Sequence, residues 1–134
     1  MSESNRKIIL AEDDYDDVEF FEAALSESCD DCELLVATDG NELDHILQEN
    51  PSPYAIVLDL NMPLVSGKEC LVKIRSQKAF DHVPVIILST SSDLKDKQFC
   101  LSEGATAYLV KPGSFSGLKK IILKLCNGGY SIPI

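Results

Sequence analysis

Eight polar residues of this 134-residue sequence stand at or just after the ends of four short apolar runs. They are, in chain order, Glu12, Asp13, Asp14, Asp59, Asn61, Ser89, Thr90 and Lys111. Clustered carboxylates repel one another unless a cation joins them or one is protonated, and their oxygen atoms suit a hard ion such as Mg²⁺. With such an ion bound, Asp59 has the chemistry of a nucleophile toward a phosphoryl group. Lys111 and the Ser89 hydroxyl then have the charge and the proton to bind phosphoryl oxygens.

The stretch from Tyr54 to Gly67 gives the strongest indication of a ligand-binding site. Residues 54–58 form an unbroken apolar run, too short for a typical helix and typical of a strand buried on both faces. Asp59 follows where that strand should end, and open α/β sheets bind ligands at the carboxyl ends of their strands. Taken alone, Asp59 is equally consistent with a cap of the next helix or with a turn.

The rest of the chain predicts the elements that would place these residues together. Strands are predicted at 7–11, 33–37, 54–58, 84–89 and 106–110, and helices at about 17–25, 40–50, 67–77, 92–104 and 114–126. In the third helix Cys70, Leu71 and Ile74 should face inward, whereas Arg75 should face outward with the lysines. Strict alternation of strands and helices predicts an α/β fold, a parallel sheet with helices on both faces. All eight polar residues should then meet at one edge of the sheet.

Composition and charge narrow the function. The sequence is 45% apolar and 25% charged, which is ordinary for one globular domain, and no apolar run approaches the roughly 20 residues that span a bilayer. Without a signal-peptide pattern, a cytoplasmic location and no membrane partner are expected. Residues 1–50 hold 16 acidic and 2 basic side chains, a net charge of −14, against +4 for the remainder. This acidity argues against direct nucleic-acid binding and favours cations or cationic partners.

Five cysteines are present, and two of them, Cys29 and Cys32, have the spacing of a redox or zinc half-site. The two histidines, His45 and His82, do not supply a matching pair of zinc ligands. Two acidic residues between the cysteines should raise their thiol pKa values, which opposes reactivity. Reduced loop cysteines are therefore predicted, with a redox function as the alternative.

The motifs, in order and in spacing, resemble those of the receiver domain of two-component response regulators. They are Glu-Asp-Asp at 12–14, Asp-Leu-Asn-Met-Pro at 59–63, Ser at 89 and Tyr-Leu-Val-Lys-Pro at 108–112. The resemblance covers essentially the whole chain and is greatest to stand-alone chemotaxis-type and phytochrome-associated regulators. It implies a flavodoxin-like, doubly wound sheet in the order 2-1-3-4-5 with five helices. It also implies a single receiver domain over 1–134, with a core at about 6–127, a short tail at 128–134 and no output domain.

The same resemblance assigns the metal site and the phosphoryl acceptor. Asp59 would be the phosphoacceptor and, with Asp13, a direct ligand of Mg²⁺, for which Mn²⁺ could substitute. Asn61 would bind the metal through its backbone carbonyl, and Glu12 would act through water.

Further residues are assigned to phosphate binding and switching. Lys111 would pair with the phosphate, and the Lys111–Pro112 bond would be cis. Ser89 would be the switch hydroxyl, with Thr90 as the second choice. Tyr108 would reorient with that hydroxyl, although a half-buried strand aromatic is also consistent with its position.

The function implied is that of a phosphoacceptor signalling protein and not of an enzyme. A sensor histidine kinase or phosphotransfer protein would dock on the helix after Asp13 and the loop at Lys111. Phosphorylation of Asp59 would then alter the strand-four to strand-five face, which binds a downstream protein in a monomer or a phosphorylation-linked homodimer.

Three other functions would also account for parts of this sequence. An aspartyl-phosphate phosphohydrolase would need a second aspartate at the position of Asn61. A flavodoxin-like cofactor module would need a Gly/Ser/Thr-rich phosphate loop in place of residues 12–14. A pseudo-receiver that binds partners without phosphorylation is the third alternative, and the presence of every key residue argues against it.

Overall fold

Short apolar runs form the five strands of one parallel sheet. The computed structural model describes residues 6–130, so part of the predicted tail, 131–134, lies outside the described residues, as do residues 1–5. The strands are β1 (Arg6–Ala11), β2 (Cys32–Ala37), β3 (Ala55–Leu58), β4 (Val85–Ser89) and β5 (Ala107–Val110). Their order is β2-β1-β3-β4-β5, all parallel, which confirms the predicted fold class.

Within residues 6–130 each strand is followed by one helix, and each helix begins after a side-chain cap. The helices are α1 (Tyr15–Ser28), α2 (Gly40–Glu49), α3 (Gly67–Arg75), α4 (Leu94–Ser102) and α5 (Phe115–Cys126). The caps are Asp14, Asp39, Ser66, Asp93 and Ser114, whose oxygens accept hydrogen bonds from the first turn of each helix. Helix α3 ends two residues earlier than predicted, and a single 3₁₀ turn at Lys78–Phe80 follows it. No helix within residues 6–130 has the length and apolar character needed to cross a membrane.

The sheet separates two apolar layers because successive strand residues point to opposite faces. Ile9 and Ile56 face the layer that contains α2, α3 and α4, whereas Ile8 and Val57 face the layer that contains α1 and α5. The strands β3 and β4 are buried along their whole length. Burial on both faces explains why their sequences are continuous apolar runs without alternation.

The prediction that Arg75 faces outward is wrong. Its guanidinium donates to the carbonyl oxygens of Gly104 (2.8 Å), Phe80 (2.8 Å) and Val83 (3.0 Å), and more weakly to the Thr106 hydroxyl (3.4 Å). Burial lowers the pKa of Arg75. One side chain therefore joins the end of α3 to the loops before β4 and β5, where backbone carbonyls need donors.

The prediction that Cys29 and Cys32 are reduced is also corrected, because the structure joins them in a disulfide. Their Cα atoms are 5.9 Å apart, within the usual range for a disulfide. The charge between them is also balanced, because Arg6 forms an ion pair with Asp31 at 2.9 Å. Arg6 thus offsets the charge of one of the two acidic residues that were expected to raise the thiol pKa values.

Helix α3 starts in close contact with the end of β3. The N–H of Gly67 donates to the carbonyl of Leu60 at 3.0 Å. A Cβ atom at Gly67 would lie 2.6 Å from the Leu60 Cα and closer still to the Asp59 carbonyl oxygen. Both are backbone atoms, so only a residue without a side chain lets α3 approach β3 this closely.

We therefore expect Gly67→Ala to lower the free energy of unfolding by about 2 kcal/mol, because the added methyl must displace backbone. Urea denaturation would measure this loss. Gly113→Ala is the matched control, since a Cβ there meets no atom of the described residues within 4 Å. Equal midpoints for the two variants would contradict the assigned close contact.

Candidate functional site

The carboxyl edge of the sheet brings Asp59 to the centre of a polar cluster. The N–H of Asp59 donates to the carbonyl of Ala11 at 3.0 Å, which extends the pairing of β1 and β3 by one residue. This bond holds the start of the loop against the central strands. The carboxylate is only 6% exposed, so it lies at the mouth of the core and not on the open surface.

Two further carboxylates lie beside it. Oxygen atoms of Glu12, Asp13 and Asp59 all lie within 4.8 Å of one another. Glu12 is buried and accepts a hydrogen bond from the N–H of Asp14 at 3.1 Å, whereas Asp13 is exposed. The structure therefore brings together the acidic trio predicted from the sequence, with one member open to solvent.

Lys111 supplies the positive charge of this cluster. Its Nζ lies 2.7 Å from Glu12 Oε1, 2.8 Å from Asp17 Oδ2 and 3.6 Å from Asp59 Oδ2. The N–H of Lys111 donates to the carbonyl of Ser89 at 2.7 Å, which continues the pairing of β4 and β5 to this residue. The side chain thus starts from a fixed backbone position.

Asp17 was not predicted to belong to the site. The sequence predicts that it lies on the first helix and gives it no function. In the structure Asp17 lies in the first turn of α1, where its N–H donates to the side chain of the Asp14 cap at 3.1 Å. This turn follows directly after the acidic residues 12–14, and it places the carboxylate of Asp17 beside Lys111.

Burial and charge shift the pKa values of the central pair. Burial raises the pKa of Glu12 to about 7, with the Asp59 charge adding to the rise and the hydrogen bond from Lys111 opposing it. Burial alone would lower the pKa of Lys111. Hydrogen bonds to Asp17 and Glu12, with the charge of Asp59, outweigh that effect and raise it. The lysine is therefore a permanent cation, while the buried glutamate resists ionisation unless positive charge is near.

The prediction of a cis peptide bond between Lys111 and Pro112 is wrong. All peptide bonds in the described part of the chain are trans. The trans isomer of an X–Pro bond is favoured by roughly 0.5–1 kcal/mol. Lys111 reaches its three carboxylates from that favoured isomer.

Ser89 and Thr90 are distinguished by burial. Ser89 ends β4 and is fully buried, and its Oγ accepts from the N–H of Ser91 at 3.1 Å. Thr90 is exposed. The hydroxyl at the inner position of this edge is therefore that of Ser89.

Tyr108 is buried on β5 and connects to the same loop. Its hydroxyl donates to the carbonyl of Ser91 at 2.8 Å. The Ser91 hydroxyl in turn donates to Asp96 at 2.6 Å, and Asp96 forms an ion pair with Lys68 at 2.5 Å. The hydrogen bonds from Lys68 and Ser91 lower the pKa of Asp96. This chain of contacts from β5 to α3 was not predicted from the sequence. It depends on the contact between Lys68 on α3 and Asp96 on α4, two helices that meet only in the folded structure.

The residues present fit a hard divalent cation. The donors are carboxylate oxygens, Asn61 follows two residues after Asp59, and its N–H lies 3.4 Å from Asp59 Oδ1. Mg²⁺ takes such oxygen ligands and usually keeps several waters, which suits a cluster with one solvent-exposed carboxylate. Lys111 already occupies the cationic position beside two of the three carboxylates.

Comparison with known proteins agrees with this geometry. A family model described as the response regulator receiver domain matches residues 8–123. The response regulator Rcp1 of Synechocystis sp. is 31% identical over 128 residues, which cover 90% of this chain and 87% of Rcp1. The sensor histidine kinase TmoS of Ectopseudomonas mendocina is 32% identical over 121 residues. That match covers 90% of this chain but the chain spans only 12% of the kinase.

Solved structures resemble the whole fold. The phosphorylated cyanobacterial phytochrome response regulator RcpA has a TM-score of 0.84 at 30% identity, over 93% of this chain and 94% of RcpA. The Mn²⁺-bound form of Rcp1 has a TM-score of 0.82 at 27% identity, over 96% of each chain.

A third structure was determined with magnesium. The receiver domain of the sensor histidine kinase PA1611 from Pseudomonas aeruginosa has a magnesium ion coordinated in its active-site cleft. It has a TM-score of 0.76 at 25% identity, over 92% of this chain and 99% of that one. Since the family model spans most of the sequence and Rcp1 is matched over most of its length, the chain belongs to the family of response regulator receiver domains.

Proposed function

We propose that the chain acts as a cytoplasmic response regulator receiver domain that accepts a phosphoryl group on Asp59. The donor would be the phosphohistidine of a sensor histidine kinase or a phosphotransfer protein. One observation carries this proposal: a nearly buried aspartate lies beside two other carboxylates, with a lysine ammonium 3.6 Å away. No ordinary surface acid has that combination of burial, negative charge and fixed cation.

The chain's residues would divide the reaction between them. A carboxylate oxygen of Asp59 attacks phosphorus, the new O–P bond forms, and the P–N bond to the donor imidazole breaks with its electron pair returning to nitrogen. Lys111 binds a phosphoryl oxygen, and the Ser89 hydroxyl donates to another. Both groups stabilise charge that the carboxylate cluster would otherwise repel.

Glu12, Asp13, Asp59 and the Asn61 carbonyl would hold Mg²⁺, or Mn²⁺ in its place. When bound, the ion neutralises the carboxylates and the phosphoryl oxygens. Support comes from the oxygen donor set, in which carboxylate oxygens of Glu12, Asp13 and Asp59 lie within 4.8 Å of one another.

The conformational response would start at Ser89 and end at Tyr108. Phosphorylation adds negative charge and acceptor oxygens beside the buried Ser89 hydroxyl. That hydroxyl accepts from the N–H of Ser91, and the Ser91 carbonyl accepts from Tyr108. A shift of Ser89 toward the phosphate would therefore alter both bonds and rearrange the loop between β4 and α4.

Two surfaces would bind partners. Beside Lys111, the α1 face exposes Tyr15 and Phe20, and Phe20 packs against Phe115 with ring centres 6.1 Å apart. We assign this surface to the phosphoryl donor. The face formed by α4 and β5 exposes three apolar side chains, Leu94, Leu101 and Val110. We assign it to the downstream protein or to a second phosphorylated copy of the chain.

The direct test is intact-mass analysis after incubation with acetyl phosphate, with and without Mg²⁺. We expect the native chain to gain one phosphoryl group only with Mg²⁺, and Asp59→Asn to gain none, because the amide is not a nucleophile. Asp81→Asn, an exposed aspartate remote from the cluster, should behave as the native chain. No gain in a native chain that binds Mg²⁺ would contradict the proposal and favour a partner-binding module that is not phosphorylated.

Removing the cation tests the charge balance of the cluster. We expect Lys111→Met to lower the free energy of unfolding by about 2 kcal/mol without Mg²⁺, because three carboxylates lose their common partner. Added Mg²⁺ should restore more stability to this variant than to the native chain, since the ion replaces the missing charge. Urea denaturation at two Mg²⁺ concentrations measures both effects.

Lys119→Met is the control for that experiment. Lys119 pairs with Glu27 at 3.1 Å on the exposed surface, where an ion pair contributes little. Similar losses in the two variants, unaffected by Mg²⁺, would show that Lys111 does not neutralise a buried cluster.

A further inference from the structure

Three of the five cysteines meet at the amino edge of the sheet, opposite Asp59. Cys29 follows α1, Cys32 begins β2 and Cys126 ends α5. Each helix of a parallel sheet returns the chain to this edge, which brings the ends of α1 and α5 to the start of β2. The three sulfur atoms lie within 4.8 Å of one another although Cys126 is 94 residues from Cys32.

The Cys29–Cys32 disulfide has a free thiol in contact with it. Cys126 is buried, and its Sγ lies 4.0 Å from the Sγ of Cys32. Disulfides break and re-form by attack of a thiolate on one of their sulfur atoms. A third cysteine at this distance is therefore placed to attack Cys32 and release Cys29.

Arg6 favours Cys29 as the leaving sulfur. Its Nη2 donates to the Sγ of Cys29 at 3.2 Å, and its Nη1 donates to the carbonyl of Cys126 at 2.7 Å. A guanidinium beside a sulfur stabilises the thiolate, and a more stable thiolate leaves faster. The Asp31 carboxylate, whose Oδ1 lies 3.1 Å from the same sulfur, opposes this effect, and its own ion pair with Arg6 reduces that opposition. The same arginine thus holds the end of α5 against the disulfide. Burial raises the pKa of the Cys126 thiol, which keeps it protonated at rest.

A metal centre fits these observations less well. A metal needs free thiolates, whereas two of the three sulfurs are bonded to each other. The nearest carboxylate, Asp31, already pairs with Arg6 at 2.9 Å. The guanidinium also places a positive charge where a metal ion would have to bind.

We propose that Cys29, Cys32 and Cys126 form a thiol–disulfide exchange site whose co-reactant is a small disulfide or thiol of the glutathione class. Oxidation of the Cys29–Cys32 dithiol by such a disulfide gives the protein disulfide and two small thiols. In the exchange step, Cys126 loses its proton and attacks Cys32. A Cys32–Cys126 bond forms, the Cys29–Cys32 bond breaks, and Cys29 leaves as a thiolate that takes up a proton. The exchange itself involves no net oxidation.

The exchange would replace a local link by a long one. The disulfide between Cys29 and Cys32 joins the end of α1 to the start of β2. A bond between Cys32 and Cys126 would join β2 to α5. The second state ties the end of α5 to β2, so the position of the exchange would set how firmly α5 is held to the sheet. The co-reactant would set whether either disulfide is present.

The test is disulfide mapping of Cys29→Ser after equilibration in graded mixtures of reduced and oxidised glutathione. Free thiols are alkylated in denaturant, and disulfide-linked peptides are identified by mass. We expect an intramolecular Cys32–Cys126 disulfide in this variant. Cys70 and Cys100, buried in the layer on the other face of the sheet, should remain alkylated as internal controls. Cys29→Ser with Cys126→Ser should give only a mixed disulfide of Cys32 with glutathione.

Two results would overturn the proposal. One is a Cys29→Ser chain whose Cys32 and Cys126 remain separately alkylated or separately bound to glutathione. The other is stoichiometric protection of all three cysteines from alkylation when Zn²⁺ is added to the reduced native chain, which would identify a metal centre.

Arg6 is tested by the rate of disulfide reduction. We expect Arg6→Gln to slow reduction of the Cys29–Cys32 disulfide by glutathione about threefold, because Cys29 becomes a poorer leaving group without the guanidinium. Lys7→Gln is the control, because among residues 6–130 its Nζ bonds only to the Asn50 side chain, on the exposed surface. Equal rates for the two variants would remove Arg6 from the site.

Discussion

Charge balance among buried carboxylates is the constraint on which the functional end of this fold depends. Glu12 and Asp59 come from adjacent strands and are both almost fully buried, so their repulsion is weakly screened. The compensating ammonium is that of Lys111, which follows β5, with β3 and β4 between it and β1. The loops at this edge of the sheet are folded so that the Lys111 ammonium lies beside the carboxylates of Glu12 and Asp59. The proposed binding of a cation and of a phosphoryl group depends on the same arrangement.

The sequence contained most of the architecture because burial on both faces leaves a simple pattern. Continuous apolar runs predicted β3 and β4, and the residues that follow them were placed at the correct edge. Asp59 was singled out by its position at the end of a predicted strand, and its assignment as phosphoacceptor came from the family resemblance. The choice of Ser89 over Thr90 came from family spacing, and the burial of Ser89 is consistent with it. Their functional assignments remain predictions that the experiments above address.

Two of the predictions that failed, those on Arg75 and on the pair Cys29 and Cys32, concerned contacts that form only when the elements pack. The third, the cis bond between Lys111 and Pro112, came from the family resemblance. Arg75 looked like one more exposed helical base, because nothing local shows that three carbonyls will lie near it. Cys29 and Cys32 were judged from the acids between them, but Arg6 balances that charge from another strand. Cys126 reaches them only once α5 has docked. Pattern and spacing describe elements well, whereas these contacts depend on how the elements pack.

Arg75 also has a consequence for the order in which the chain folds. Its hydrogen bonds to Phe80 and Val83 join residues five and eight positions apart, and such short loops close at little entropic cost. Those to Gly104 and Thr106 span 29 and 31 residues and require β5 to be in place. We expect the hydrogen bonds to Phe80 and Val83, the near pair, to form early. Those to Gly104 and Thr106, the far pair, should form last. Loss of the far pair would therefore speed unfolding while leaving the rate of refolding almost unchanged.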